Sequence, residues 1–337
     1  MEDPNDLPSG AQLTERLESG AHEEARAGLS RYEAASCEKR KDALQALCDR
    51  AAAQPTAFAP VLSEFVPFLT DPERSIRLTT AKLFVALAEA EPEAVSAVVP
   101  ALADRLADEA EFYYVRARSA EALGYVGRVD PAAVASPEVL ADLRIGLSFD
   151  KPEVKEKLAK ALEHVALGRP RRLKHHAPSL AEQLSDDNEL VRYHVCTAIT
   201  VVGCEFPEEV AECHDALGAR LDDDSPYVRG RAAEALGLLA HAGEIEESVR
   251  EERLAALTDD ENSFVRRRAQ FAGAGHTERT DTASTSAGIG TVDGIRNETD
   301  AVVEEITTPD DEGTCAQCGL ALPEHGPPVC PRCGTPN

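Results

Sequence analysis

The chain has 337 residues, and its 61 Asp and Glu against 35 Lys and Arg give a formal charge of −26, which repels polyanionic partners. Aromatic residues make up 4% while 54 residues are Ala, the strongest helix former, so the composition predicts an all-α protein. That length suffices for two domains or one repeat array with a sizeable core, which excludes an unstructured polymer for most of the chain. No apolar run approaches the ~20 residues of a membrane helix. The opening MEDPNDLPSG is acidic rather than basic and then apolar, so the expectation is a soluble, cytoplasmic protein with no membrane contact.

Only 8 of the cations are Lys and 27 are Arg. An acidic, lysine-poor surface resembles proteins that live in molar cytoplasmic salt, where charge is screened within a few ångströms and carboxylates keep the surface hydrated. The alternative is a dedicated acidic surface for a basic partner. Salt adaptation is the simpler account and assigns the acidity no function.

In chain order, residues 1–55 come first. Leu44, Leu47 and Ala51 follow Glu38-Lys39-Arg40-Lys41 at helical spacing, which predicts a helix in a degenerate capping repeat.

Internal repeats organise residues 56–274. A β-branched apolar residue followed by a basic one recurs at Ile76-Arg77, Val115-Arg116, Val154-Lys155, Val191-Arg192, Val228-Arg229 and Val265-Arg266, at spacings of 39, 39, 37, 37 and 37 residues. Five residues after each anchor the side chain is small (Ala81, Ala120, Ala159, Cys196, Ala233), with Gln270 the exception. Eight residues after it stand Phe84, Leu123, Leu162, Ile199 and Leu236, and eleven after it Leu87, Val126, Val165, Val202 and Leu239. Such offsets share one side of a helix, predicting an amphipathic second helix in each unit. A Leu seven to nine residues ahead of each anchor (Leu69, Leu106, Leu147, Leu184, Leu221, Leu257) closes a first helix. Acidic turns such as Thr70-Asp71-Pro72 and Asp222-Asp223-Asp224-Ser225-Pro226 separate the two, supplying N-caps. Pro100 and Pro178 hold equivalent places and predict a bent first helix.

At this point the chain resembles the HEAT repeat family, and more narrowly the HEAT-like repeats first associated with phycobilin lyases. The pattern is clearest in Tyr227-Val228-Arg229-Gly230-Arg231-Ala232-Ala233-Glu234-Ala235-Leu236-Gly237 and again from Val115 to Gly124. The resemblance implies a right-handed α-solenoid of about six helical hairpins. It also implies that the turn Asp and the Arg after the anchor are structural, bonding within and between units. The alternative, a ladder of anion ligands, is disfavoured because the Arg recurs once per repeat beside a turn Asp.

Two further features stand out on the repeats. Tyr114, Tyr227 and Phe264 share the position before the anchor; they could line a partner groove, with ordinary helix packing as the alternative. The segment Arg169, Arg171, Arg172, Lys174, His175 and His176 concentrates cations between two repeats of an acidic chain, making it the candidate contact for an acidic helix or a phosphate. A solvated loop is the competing account.

From residue 275 to 313 the repeat pattern stops. Residues 274–314 carry ten acidic side chains against Arg279 and Arg296, a charge of −8, with no Leu or aromatic residue. This composition predicts a flexible, disordered acidic linker, with short order allowed around Val302, Val303 and Ile306.

The last segment, 314–337, holds Cys315, Cys318, Cys330 and Cys333 as two C-x-x-C pairs separated by eleven residues, each followed by Gly. Four thiolates at this spacing predict one closed tetrahedral structural zinc site, and the module resembles a small zinc ribbon. Rubredoxin-like iron and redox dithiols are the alternatives. Cys37, Cys48, Cys196, Cys204 and Cys213 show no paired spacing.

Three catalytic readings attach to the resemblance. A di-iron deoxyhypusine hydroxylase needs repeated His-Glu pairs, and His22-Glu23 stands alone ahead of the repeats. A DNA glycosylase wants a basic groove that a −26 chain lacks. Phycobilin lyase activity rests on resemblance alone. The leading reading is a non-catalytic interaction scaffold for an unidentified protein partner, with the ribbon as a second contact and no catalytic residue assigned. Nucleic-acid association through the ribbon, where Arg332 is the only Lys or Arg, and a lyase-like role are the alternatives.

Overall fold

A computed structural model describes residues 7–134, 136–245, 251–274 and 288–308. The predicted zinc ribbon at 314–337, with Cys315, Cys318, Cys330 and Cys333, lies outside the described residues. Within them the regular structure is helical throughout, an all-α solenoid architecture of repeated hairpins. Contacts divide the chain into two compact units, Met1–Ala198 and Ile199–Asn337.

In the first unit the amino-terminal cap is three helices, α1 (Gly10–Glu18), α2 (His22–Tyr32) and α3 (Cys37–Ala51). Ser9 caps α1 by accepting from the Gln12 amide while the Gln12 side chain accepts from the Ser9 amide, a capping box. The predicted helix through Leu44, Leu47 and Ala51 is α3, and it packs on α4 (Arg74–Ala90) as the second helix of a repeat would. The following second helices are α5 (Tyr113–Val129), α6 (Pro152–Gly168) and the start of α7 (Glu189–Glu205); each spans 17 residues. The second unit continues with the rest of α7, then α8 (Pro226–Ala242) and α9 (Ser263–Gly273).

The anchors Ile76, Val115, Val154, Val191, Val228 and Val265 are all fully buried, as are the small residues five positions later from Ala81 to Ala233. The exception, Gln270, is exposed on the last second helix, where no further repeat of the same kind follows in the described residues. Gly124 and Gly237, at equivalent places in the A-L-G motif, explain themselves by contact. A Cβ on Gly124 would lie 2.7 Å from the Ala161 Cα, and one on Gly237 would lie 2.8 Å from the Ala272 Cα. Both glycines let neighbouring second helices approach backbone to backbone.

First helices are shorter and mixed. The first of them, Ala59–Thr70, is 3-10 throughout and contains Pro67, whose missing N–H disfavours an α-helical ladder there. The expected bend at Pro100 and Pro178 takes a different form. Each proline sits in the first turn of an α-helical segment, Val99–Ala107 and Ala177–Ala181, where its absent donor costs nothing. The interruption falls just ahead, in the 3-10 turns Ser96–Val98 and Lys174–His176. The closing leucines from Leu69 to Leu221 are buried at the ends of these segments, and Leu257 is half-buried.

The expected disordered linker is corrected over part of its length, where the short order allowed around Val302 extends to a full helix. Within the acidic stretch 275–313, residues Val292–Thr307 form a 16-residue helix, α10, capped by Thr291 accepting from the Gly294 amide. Ile295, Thr299 and Val302 are buried on one side of it. Averaged over forty residues the segment is too polar to fold alone, but offsets of three, four and seven concentrate its apolar residues into a helical stripe.

Candidate functional site

The basic residue after each anchor is structural, as the resemblance implied, and the geometry shows why. In the first unit Arg77 donates from Nη1 to the carbonyls of Asp71 and Pro72 (2.8 and 3.2 Å) and from Nε and Nη2 to both carboxylate oxygens of Glu111 (2.7 and 2.8 Å). Lys155 reaches Asp186 Oδ2 at 2.7 Å. In the second unit Arg229 Nη1 donates to the Asp223 and Asp224 carbonyls, while Nε and Nη2 meet Asp260 Oδ2 at 3.1 and 2.9 Å. The turn Asp serves two repeats at once: Asp260 Oδ1 accepts from the Asn262 amide at 2.8 Å and its Oδ2 takes the cation of the previous unit. Arg40 Nη2 meets Asp71 Oδ1 at 3.3 Å in the cap. Arg116 departs from the pattern, donating to the Leu106 carbonyl at 2.8 Å and stacking on Phe149.

The basic segment is two single 3-10 turns, Pro170–Arg172 and Lys174–His176. Arg169, Arg171, Arg172 and His175 are exposed; Lys174 and His176 are half-buried. The Arg169, Arg171 and Arg172 side chains have no hydrogen-bond or ion-pair partner among the described residues, unlike the ladder cations. Arg144 approaches His176 Nδ1 at 3.3 Å and Ser179 Oγ at 3.4 Å, adding a further cation to the segment. Partial burial, with Arg144 and His175 nearby, lowers the His176 pKa.

A second set of polar residues escaped the sequence pattern. Three positions after the anchor stand Arg118, Lys157, His194, Arg231 and Arg268, a cation or histidine in five successive units. Their recurrence was available in the repeat alignment, but the neighbouring apolar positions dominate the helical period. In the first unit the Glu121 carboxylate is buried, which alone would raise its pKa. Lys157, Arg118 and Lys160 outweigh that burial and bring it down to about 2. Lys160 also donates to the Tyr125 hydroxyl (2.8 Å), which in turn meets Glu89 Oε1 (2.8 Å). His194 Nδ1 lies 2.6 Å from Glu163 Oε2, whereas both ring nitrogens of buried His164 lack a hydrogen-bond partner. Burial, with Lys160, Arg128 and His194 close by, pushes the His164 pKa well below its ordinary value.

In the second unit the same register positions form a buried ion cluster. Arg231, Glu234 and Arg268 are fully buried, with Glu234 Oε2 accepting from Arg231 Nη1 at 2.7 Å and Arg268 Nε at 2.8 Å. Glu298 of α10 adds a second carboxylate, 2.9 Å from Arg231 and hydrogen-bonded to Arg268. The Gly290 amide donates to Glu234 Oε1 at 2.7 Å. Phe264 lies under the Arg268 guanidinium, 3.3 Å from ring centroid, and packs edge-on to Tyr227. Tyr227 donates its hydroxyl to Glu305 of α10. Tyr227 and Phe264 therefore do line a groove, and the occupant is a helix of the same chain. Tyr114 instead packs among Phe112 and Tyr113.

Among the described residues no group of three His, Cys, Asp or Glu side chains is arranged to hold a metal ion, and no helix is long and apolar enough to cross a membrane. Burial raises the thiol pKa of Cys48 and Cys213 to about 11 and of Cys204 to about 12, so these cysteines are inert at neutral pH.

Comparison with known proteins bears on the fold. The family described as HEAT repeats matches residues 177–272. No curated protein matches the chain. Among solved structures, an engineered protein superposes with a TM-score of 0.61 at 19% identity, covering 89% of this chain and 76% of its own. A designed armadillo repeat protein gives a TM-score of 0.54 at 21% identity, covering 63% of this chain and 98% of its own. Another designed armadillo repeat protein, in complex with the peptide (KR)4, gives 0.55 at 20% identity, with 63% and 98% covered. Residues 177–272 thus match HEAT repeats, and the fold of the chain is similar to that of these engineered helical-repeat structures.

Proposed function

We propose that this protein is a non-catalytic scaffold that binds an acidic protein partner through its repeat surface. The observation that carries this reading is the segment Arg169, Arg171 and Arg172. These are exposed cations with no partner among the described residues, in a chain of charge −26 whose ladder cations are engaged. Exposed guanidiniums that satisfy no structural role are suited to planar, bidentate recognition of carboxylates. The designed neighbour that holds a (KR)4 peptide supports peptide binding as a use of this fold, here with charge reversed.

Cys315, Cys318, Cys330 and Cys333 would hold one structural Zn²⁺, since four thiolates are a donor set suited to a closed zinc site. Bound zinc would supply folding energy to a module with almost no apolar core, and the ribbon would act as a second contact on the same chain.

The test is capture from host cells at native salt with full-length protein, compared with the triple variant Arg169→Glu, Arg171→Glu, Arg172→Glu. A protein held by the wild type, lost by the variant and rebinding as purified material is the expected result. Enrichment of nucleic acid without protein overturns the reading. Metal analysis of the full chain should find about one zinc, lost in Cys318→Ser with unchanged melting of the repeats.

A further inference from the structure

The cluster under α10 draws a carboxylate from that helix. Arg231 and Arg268, both fully buried beneath it, share the carboxylate of Glu234, and Glu298 of α10 adds a second. A helix that covers these guanidiniums does so at least cost when it brings a carboxylate, as Glu298 does, because burying an uncompensated charge is strongly unfavourable. Around the cluster the α8 and α9 face offers the Phe264 ring and, one edge away, the Tyr227 hydroxyl. α10 answers with Ile295, Glu298, Thr299, Val302 and Glu305, at offsets of three, four, seven and ten along one helical face. Only Ile295, Thr299 and Val302 become buried, a modest contact for a helix of 16 residues. An open surface hollow of about 460 Å³ remains beside it, bordered by Tyr227, Phe264, Arg267, Ala301, Val302 and Glu305.

We propose that the α8–α9 face is a receptor for an acidic amphipathic helix of a partner protein, and that α10 is its tethered competitor. The inference rests on the scaffold reading and names the partner's chemistry at a second surface. The partner helix carries an apolar anchor, a carboxylate three residues later for Arg231 and Arg268, and a second carboxylate seven residues beyond that for Tyr227. A side chain larger than Ala301 at the matching position reaches into the open hollow beside it. α10 is joined to α9 through residues 275–287, so its competition is intramolecular and set by effective concentration rather than by tight contact. A partner therefore binds only as far as its contacts exceed those of α10.

The experiment uses full-length protein and a fluorescein-labelled peptide with the sequence of residues 288–308, followed by anisotropy. The double variant Ile295→Asp, Val302→Asp expels α10 from its own chain. The expected result is peptide binding at least tenfold tighter to the double variant than to wild type. A Glu298→Gln peptide should lose at least tenfold, and an Ala301→Leu peptide should bind more tightly than the parent. Equal binding to both proteins, or no effect of Glu298→Gln in the peptide, overturns the proposal. So does loss of helical signal from the repeats in the double variant, which would make α10 an integral part of the fold. A wild-type dimer by light scattering that the double variant dissolves also overturns it, since the occupant is then a second copy. Failure here with continued capture at Arg169, Arg171 and Arg172 removes this proposal and leaves the scaffold reading standing.

Discussion

Glu111→Ala is the sharpest probe of the ladder that joins neighbouring repeats. The Glu111 side chain is 1% exposed and receives both prongs of the Arg77 fork, at 2.7 and 2.8 Å, while its own Oε1 accepts from the Phe112 amide at 2.6 Å. Removing it strands a guanidinium that is only 18% exposed and leaves the amide ahead of α5 without its acceptor. Breaking a buried pair from one side costs about 3–5 kcal/mol. The remaining exposure of Arg77 puts the expectation toward the lower end, about 3 kcal/mol. Taken over the first unit, Met1–Ala198, that corresponds to roughly 6–12 °C in melting temperature. The control is the pair Arg296 and Asp293, whose side chains are 36% and 85% exposed; Asp293→Ala should cost under about 0.5 kcal/mol. Glu111→Gln, which keeps an acceptor for the amide and loses the charge, should fall between them. Thermal and urea unfolding followed by circular dichroism read all three. If Glu111→Ala costs no more than Asp293→Ala, the ladder is decorative and its structural assignment fails.

Two further outcomes follow from the buried groups. Because burial and nearby Lys160 and Arg128 hold the His164 pKa below its unfolded value, the stability tied to its neutral form is present above the unfolded pKa, about 6.5, and is lost as pH falls below it. His164→Leu should therefore flatten the loss of stability as pH falls below about 6.5; an unchanged slope refutes the assignment. Glu121, held at about 2 by Lys157, Arg118 and Lys160 against its burial, contributes stability above pH 4.5 that is lost as pH falls from there toward 2. Glu121→Gln should remove that part of the acid transition, which acid titration by circular dichroism checks. For Gly124→Ala, helix propensity alone predicts a gain of about 1 kcal/mol. The added Cβ would lie 2.7 Å from the Ala161 Cα, a backbone atom that cannot swing aside. Overpacking of about 1–3 kcal/mol should win, and a raised melting temperature would show that the helices can part.

Much of this protein follows from its sequence because a repeat writes the same local rule many times. The anchors, the small residue five positions on, the closing Leu and the turn Asp each recur at a spacing near 37 residues, and every anchor is buried. A residue type that returns at that period on one helical face leaves one way to stack, so both the hairpin and the ladder were readable. The basic segment at 169–176 was readable by contrast, since cations are scarce in this chain. Where the pattern has no second copy, the sequence alone left the outcome open. α10 occurs once, is too polar to hold itself together, and owes its helix to the face that buries Ile295, Thr299 and Val302. The Arg231, Glu234 and Arg268 cluster likewise has meaning only once α8 and α9 place two guanidiniums around one carboxylate, with the third dimension supplying Glu298 from about thirty residues beyond Arg268. Helical period depends on neighbours along the chain, whereas charge balance in a buried site depends on which distant residue the fold delivers to it.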